Sequence, residues 1–484
     1  MNEPTQDRAE RPSIDDVIDH IRLFIALRDG GHLEQAMEYG EHILEAVPNI
    51  HIMWVELGRI QKKLGLFDRA IESFKTAVAF DSGSIPALLM LSHAILERID
   101  YHDMCVERGY GEAAWSRRNF SDTLNFDAIT IDDNILTELF NVGLDLNNSG
   151  HFHEGIQCFQ HILSYNPRVI HAYYALSCAI LTLGRFQEAR PLMLEWLVRS
   201  PRGLPFPIWQ GESLEDKTLY VFADHGLGDM MQFVCYIPIV ARHCRKLVFG
   251  LPSSLWKIIG PIDNVEMVTE LSQSVDYMCS LFALPHAVGI DADAIPSKVP
   301  YLEVDPSLVA SWGERLPRGG LRIGIAWQGN PSSSLDAGRS MPVACFAPVA
   351  RIPGVTLVSL QVKFGLDQLE RLPEGMSVMT LGPDFNAGPD NVVDTAAVMR
   401  NLDLIISTDT SVPHIAGALG CPVWTVLKAI PDWRWMLERT DSPWYPTMRL
   451  FRQKTPGDWS EVMAQVAGAV SEVLETRALT APGS

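Results

Sequence analysis

A helical solenoid followed by two doubly wound α/β halves is the fold class this sequence predicts. Three observations predict it. Small and apolar residues recur 34 positions apart in the N-terminal part. A strand, a glycine turn and a helix succeed one another from Lys217 to Val240. A second such unit, with hydroxyls in its turn, runs from Asp403 to Trp424. The period marks a repeat array, and the two strand–turn–helix units mark parallel sheets.

The repeats come first. Gly31, Leu33, Ala36 and Pro48 recur as Gly65, Phe67, Ala70 and Ser82, each 34 residues on. Gly150, Phe152 and Pro167 recur as Gly184, Phe186 and Pro201 with the same step. Small residues such as Gly58 and Ala70 allow helices to cross closely, while Leu57, Phe67 and Phe74 fill the space between them. A single helix pair cannot bury its apolar face, so pairs must stack. Trp54, Leu57, Gly58, Leu64, Gly65, Phe67, Ala70, Phe74 and Ala77 resemble the tetratricopeptide repeat. Roughly four good repeats and one damaged repeat are expected over residues 14–202. The register is lost between Ser82 and Asp132, and residues 100–130 form an irregular repeat or an insertion. Such an array offers a surface for a protein or peptide. His151 and His153 flank Phe152 at a repeat turn, and a solvated turn is the better reading of them than a metal site.

Composition narrows the class. Hydrophobic residues at 47% and charged residues at 20% suit a globular protein, and 484 residues require more than one core. The formal charge of -20 argues against nucleic acid or an anionic membrane as a general partner. The eight cysteines form no C-x-x-C pair, which favours reduced thiols. The polar start, MNEPTQDRAERPS, predicts no signal peptide, and no apolar run reaches the ~18 residues of a membrane span. A cytoplasmic location is expected.

Pro201, Gly203, Pro205 and Pro207 end the helical period, and residues 203–318 are read as the first α/β half. The strand Lys217–Phe222 runs into Ala223-Asp224-His225-Gly226-Leu227-Gly228-Asp229. Only Gly226 and Gly228 are present, so this is not a dinucleotide fingerprint. Asp229, at the helix start, is an N-terminal capping carboxylate, a general base, or both. His225 is the second candidate base. Further on, Lys246–Leu251 and Val265–Val268 are expected strands, Cys279–Pro285 a loop, and residues 295–318 the crossing to the next half.

The segment LYVFADHGLGDMMQFVCYIPIV, with Trp327 onward and the Asp403–Trp424 stretch, resembles the bacterial glycosyltransferase modules fused to tetratricopeptide repeats. These are similar to the heptosyltransferases of glycosyltransferase family nine, and more remotely to the protein O-GlcNAc transferases. The resemblance implies a GT-B fold and inverting, metal-independent transfer without a cofactor, and places the proposed base at Asp229. Asp224-His225 stand where Glu-Gln is commoner, and Pro413 where a small residue is usual.

Residues 319–476 are the second half, on the nucleotide-sugar side. The strand Leu321–Trp327 leads to Gln328, Gly329 and Asn330, a candidate donor loop, and then to Arg339, a candidate phosphate clamp. Leu357–Gln361 is a further strand, with Gln361 and Lys363 at its end as candidate donor contacts. Asp394 falls on the first turn of a helix. Leu404-Ile405-Ile406 reads as a buried strand, and Thr408, Asp409, Thr410, Ser411 and His414 lead into a helix stopped by Gly420. Free N–H groups and the helix dipole suit that turn to an anion. Trp433, Trp435 and Trp444 are either a stacking platform or core packing. The last helix is expected to cross back onto the first half.

The leading expectation is a glycosyltransferase. It would take a nucleotide sugar at the second half, with His414 and Arg339 offsetting leaving-group charge, and act on a protein acceptor, flagellin or another, presented by the repeats. The alternative is a non-catalytic scaffold on a degenerate transferase fold.

Overall fold

A computed structural model describes residues 14–80, scattered positions between 87 and 94, residues 133–200, 206–289, 295–333 apart from 297, 336–388 and 391–480. The irregular segment 100–130 lies outside the described residues. The chain forms two compact units, Met1–Ala179 and Ile180–Ser484.

The first unit is built from antiparallel helix pairs. Ile14–Asp29 pairs with Leu33–Ala46, His51–Lys63 with Phe67–Phe80, and Asp133–Asn148 with Phe152–Tyr165. The recurring glycines have a mechanical reason. Gly31, Gly65 and Gly150 all have positive φ, at 79, 77 and 85°, and each turns the chain between the helices of a pair. Gly58 and Gly143 are small for a different reason. A Cβ on Gly58 would meet Phe74 at 2.6 Å, and one on Gly143 would meet Phe159 at 2.8 Å. Phe24, Ala36, Ile43, Leu44, Met53, Leu57 and Ile60 make one continuous core across the first two pairs.

The second unit begins with Phe186–Arg199, the last helix with the repeat spacing, and continues into two parallel sheets. The first has strands β1 (Thr218–Phe222), β2 (Lys246–Gly250), β3 (Val265–Val268) and β4 (Tyr277–Ser280), in the order β3-β2-β1-β4. The second has β5 (Leu321–Ala326), β6 (Val355–Ser359), β7 (Leu404–Thr408), β8 (Val423–Leu427) and β9 (Met448–Arg452), in the order β6-β5-β7-β8-β9. Every β7 and β8 residue is buried, as strands covered on both faces require. The architecture is helical repeats followed by two parallel-sheet α/β halves.

One expectation is corrected, and two further segments gain detail. Cys279 and Ser280 close a strand rather than opening a loop, and Leu284–Val288 is helical. The crossing segment contains a helix, Pro306–Glu314, whose N-cap Asp305 accepts from Ser307 N at 2.8 Å. The last helix, Trp459–Thr480, buries Val462, Met463, Val466, Ala469 and Val470 in the core of the second sheet.

Candidate functional site

In open parallel sheets, ligands bind beyond the carboxyl ends of the strands where the strand order reverses direction. In the first sheet that point lies between β1 and β4, which are paired as Phe222 with Ser280 at their ends. In the second it lies between β5 and β7, where Ala326 is paired with Ser407. The four loops that follow these strands hold most of the residues singled out in the sequence.

After β1, Asp229 sits in the first turn of the helix Leu227–Phe233 and its Oδ2 accepts from Gly226 N at 3.0 Å. Its Oδ1 accepts from Arg434 Nη2. The capping role is therefore real, and the same carboxylate is ion-paired. Arg434 also donates through Nε to Gln232 Oε1 at 2.8 Å and through Nη1 to Asp432 Oδ1 at 2.6 Å. Its guanidinium lies 4.6 Å from the Trp433 ring centre and 5.5 Å from that of Phe282. Arg434 is buried, with 9% of its side chain exposed, against 23% for Asp229.

His225 lies beside this pair. Its Nδ1 is 2.9 Å from Asp224 Oδ1, and Ser280 Oγ donates to that same oxygen at 2.6 Å. The imidazole stacks on Phe282, centroid to centroid at 4.2 Å and 11° from parallel, and Trp196 stands edge-on at 6.3 Å. Asp224, His225, Asp229, Met230 and Phe282 line a narrow recess.

From the second sheet, the helix Ser411–Ala418 meets the helix Leu227–Phe233. A Cβ on Gly228 would lie 3.0 Å from His414 Cδ2 and 3.6 Å from Ser411 Cα, so glycine is what permits this approach. Thr410 caps the helix by accepting from Val412 N at 3.3 Å. Asp409, Thr410 and Ser411 are partly exposed, whereas Thr408 is fully buried and its Oγ1 has no partner among the described residues.

His414 Nδ1 is 3.0 Å from Tyr445 Oη, and burial, with Arg434 and Arg339 nearby, lowers its pKa to about 3. It is a neutral ring at neutral pH. Burial and the charge of Asp432 push the Asp409 carboxyl up, while Arg339 and Arg434 pull it down. Positive charge at this site comes from the two arginines.

The loop after β5 is held from inside. Gln361 Nε2 donates to Gln328 O at 2.7 Å, and its Oε1 accepts from the backbone N of Trp327 and Gln328 at 3.0 and 3.2 Å. Gln361 is thereby a brace for the loop. Gly329 N donates to Ser340 Oγ at 2.9 Å, and Asn330 is exposed. Arg339 contacts Asp336 Oδ1 at 3.2 Å and stands against the Gly329 turn. Lys363 is exposed between Val362 and Phe364 and is not drawn into these contacts. Asp394 accepts from Trp312 Nε1 at 3.0 Å and from Asn386 N at 3.2 Å, a bracing role. Trp433, Trp435 and Trp444 are buried, so packing is the correct reading of all three.

Sequence reasoning passed over Arg434, Ser280, Phe282 and Tyr445. Only the strand-order rule points to Ser280 and Phe282, and it needs the topology.

A family profile described as a tetratricopeptide repeat matches residues 52–83. Protein FlbA of Caulobacter vibrioides is 24% identical over 327 residues, which cover 62% of this chain and 54% of that protein. The chain thus spans about half the length of this curated relative. A family 9 glycosyl transferase from Veillonella parvula aligns over 55% of this chain and 98% of its own, with 12% identity and a TM-score of 0.41. The ADP-heptose lps heptosyltransferase II of E. coli aligns over 54% and 99%, with 14% identity and a TM-score of 0.40. The chain carries a tetratricopeptide repeat at residues 52–83, among helix pairs that keep the 34-residue step, followed by two parallel-sheet α/β halves.

Proposed function

We propose that the second unit is a glycosyltransferase that moves a sugar from a nucleotide-activated donor to an acceptor hydroxyl. The observation that carries this reading is the meeting of two strand-order reversal points across one helix contact, Gly228 on His414, with Asp409, Arg339 and Arg434 beside it. The donor phosphates would lie against the N-terminal turn of Ser411–Ala418, where backbone N–H groups favour an anion. Arg339 and Arg434 would offset the charge that develops on the leaving group. The acceptor would enter at the recess lined by His225 and Asp229. This reading includes a protein acceptor brought by the repeats, flagellin among the options, inverting chemistry and a cytoplasmic setting.

The test is ligand-induced stabilisation by UDP, GDP, ADP and CMP at millimolar concentration. A nucleotide at ~100 times its Kd stabilises the folded state by about 2.7 kcal/mol. One member should raise the melting temperature, and mass spectrometry should then find hexose-sized or larger additions on the acceptor. No shift with any nucleotide overturns the donor site.

One observation favours a non-catalytic binding module instead. The recess holds almost no space for a water-sized molecule, far below the roughly 300–1,000 Å³ of ordinary ligand pockets. A chain that binds a protein partner through its repeats and shows no nucleotide response fits that reading.

A further inference from the structure

The geometry assigns the proton-accepting role to His225, with Asp224 and Ser280 as the residues that position it and Asp229 as the anchor of Arg434. This rests on the glycosyltransferase reading and deepens it. A general base needs a free lone pair facing the acceptor. Asp229 has one oxygen on Gly226 N and the other on a buried arginine. That carboxylate is thereby engaged in holding Arg434.

His225 has the opposite arrangement. An ionised Asp224 only accepts hydrogen bonds, so the 2.9 Å contact makes Nδ1 the protonated nitrogen. Nε2 then carries the lone pair, on a side chain that lines the recess. Ser280 Oγ, donating at 2.6 Å, fixes the carboxylate, and Phe282 stacked at 4.2 Å fixes the ring plane. The His225 side chain is 26% exposed and that of Asp224 18%. The three parts come from the ends of β1 and β4, the two strands that flank the reversal point.

The step balances as follows. The acceptor hydroxyl gives its proton to His225 Nε2, and its oxygen forms the bond to the anomeric carbon. The bond from that carbon to the donor phosphate oxygen breaks, and its electron pair leaves with the nucleotide. Asp224 offsets the imidazolium charge, and the proton is then lost to water.

Nitrogen-15 histidine NMR of the full chain should show His225 with Nδ1 protonated and Nε2 bare, and Asp224→Asn should disturb that tautomer. Nucleotide release from UDP-, GDP-, ADP- and CMP-sugars, with water as the surrogate acceptor, supplies the kinetic arm. His225→Asn and Asp224→Asn should each lower kcat at least about 100-fold, the lower range for a lost general base. Donor KM and nucleotide-induced stabilisation should stay within about twofold of wild type. Ser280→Ala should give a smaller loss, and Ser280→Thr should restore it. An Nε2-protonated ring, or wild-type kcat in His225→Asn, overturns the assignment. A nucleotide that stabilises the chain without release by wild type also overturns it, while leaving the donor site standing. Absence of both overturns the donor reading and the base together.

Discussion

Arg434 reaches from the segment after β8 to Asp229 on the first helix of the first sheet, and its Nε meets Gln232 Oε1 one helical turn further on at 2.8 Å. One guanidinium thus ties the two α/β halves together and holds a third partner, Asp432, at 2.6 Å. Removing one member of a buried ion pair leaves the other charge uncompensated, at a cost of about 3–5 kcal/mol. Asp229→Asn and Arg434→Met should each destabilise the second unit by about that amount, less whatever Asp432 recovers. The double variant should lose less than the two together, with a coupling of at least about 1 kcal/mol. Tryptophan fluorescence during urea unfolding reads this well, because Trp433, Trp435 and Trp444 are buried nearby. Strict additivity would show that the pair contributes nothing.

Gly228→Ala tests the closest approach between the halves. The added Cβ would sit 3.0 Å from His414 Cδ2. His414 cannot easily retreat, since Tyr445 Oη holds its Nδ1 at 3.0 Å and Trp435 lies against it at 5.2 Å. Overpacking of this kind costs about 1–3 kcal/mol. A lower melting temperature is expected, with a larger relative loss of nucleotide response than of stability. An unchanged melting temperature would show that the two helices separate freely.

The sequence carried the scaffold better than the site. The 34-residue step fixed where Gly31, Gly65 and Gly150 turn the chain, because a positive φ leaves few alternatives to glycine. The runs before Asp224 and Asp409 announced buried parallel strands. What the sequence withheld were contacts between distant segments. Arg434 sits 205 positions from Asp229, and Ser280 sits 56 from Asp224, with no local pattern joining either pair. His414 was only partly legible for a related reason. Its charge state depends on burial and on Arg434 and Arg339, none of which its neighbours in sequence reveal.

Acid should destabilise the second unit earlier than it does an ordinary fold. Burial lowers the pKa of His414 to about 3 and that of His286 to about 4, against 6.5 for the free side chain. Both folded values lie below the unfolded one, so the stability they confer is present above pH ~6.5 and is lost as pH falls toward the folded values. Each contributes a slope of up to about 1.4 kcal/mol per pH unit in that window. Asp409, whose pKa is raised, works the other way and offsets part of the loss. The melting temperature should therefore fall between pH 6.5 and 4, and His286→Gln should make the fall shallower. A flat profile for wild type would place both histidines in contact with water.

The repeats allow a test that does not involve the site. Gly58 and Phe74 belong to paired helices, and a Cβ at residue 58 would stand 2.6 Å from the Phe74 ring. Gly143 and Phe159 repeat the arrangement at 2.8 Å. Phe74 and Phe159 are both fully buried, so neither ring can swing into solvent without opening a cavity. Gly58→Ala and Gly143→Ala should each cost about 1–3 kcal/mol through overpacking, even though alanine favours helix by about 1 kcal/mol. Phe74→Ala should cost about 3–5 kcal/mol through the cavity it leaves. The informative variant is Gly58→Ala with Phe74→Leu. The smaller side chain makes room for the new methyl, so the double variant should be more stable than Gly58→Ala alone. Circular dichroism at 222 nm during thermal unfolding follows the helices directly. If Gly58→Ala stabilised the array, the close crossing of those two helices would not be what selects glycine there.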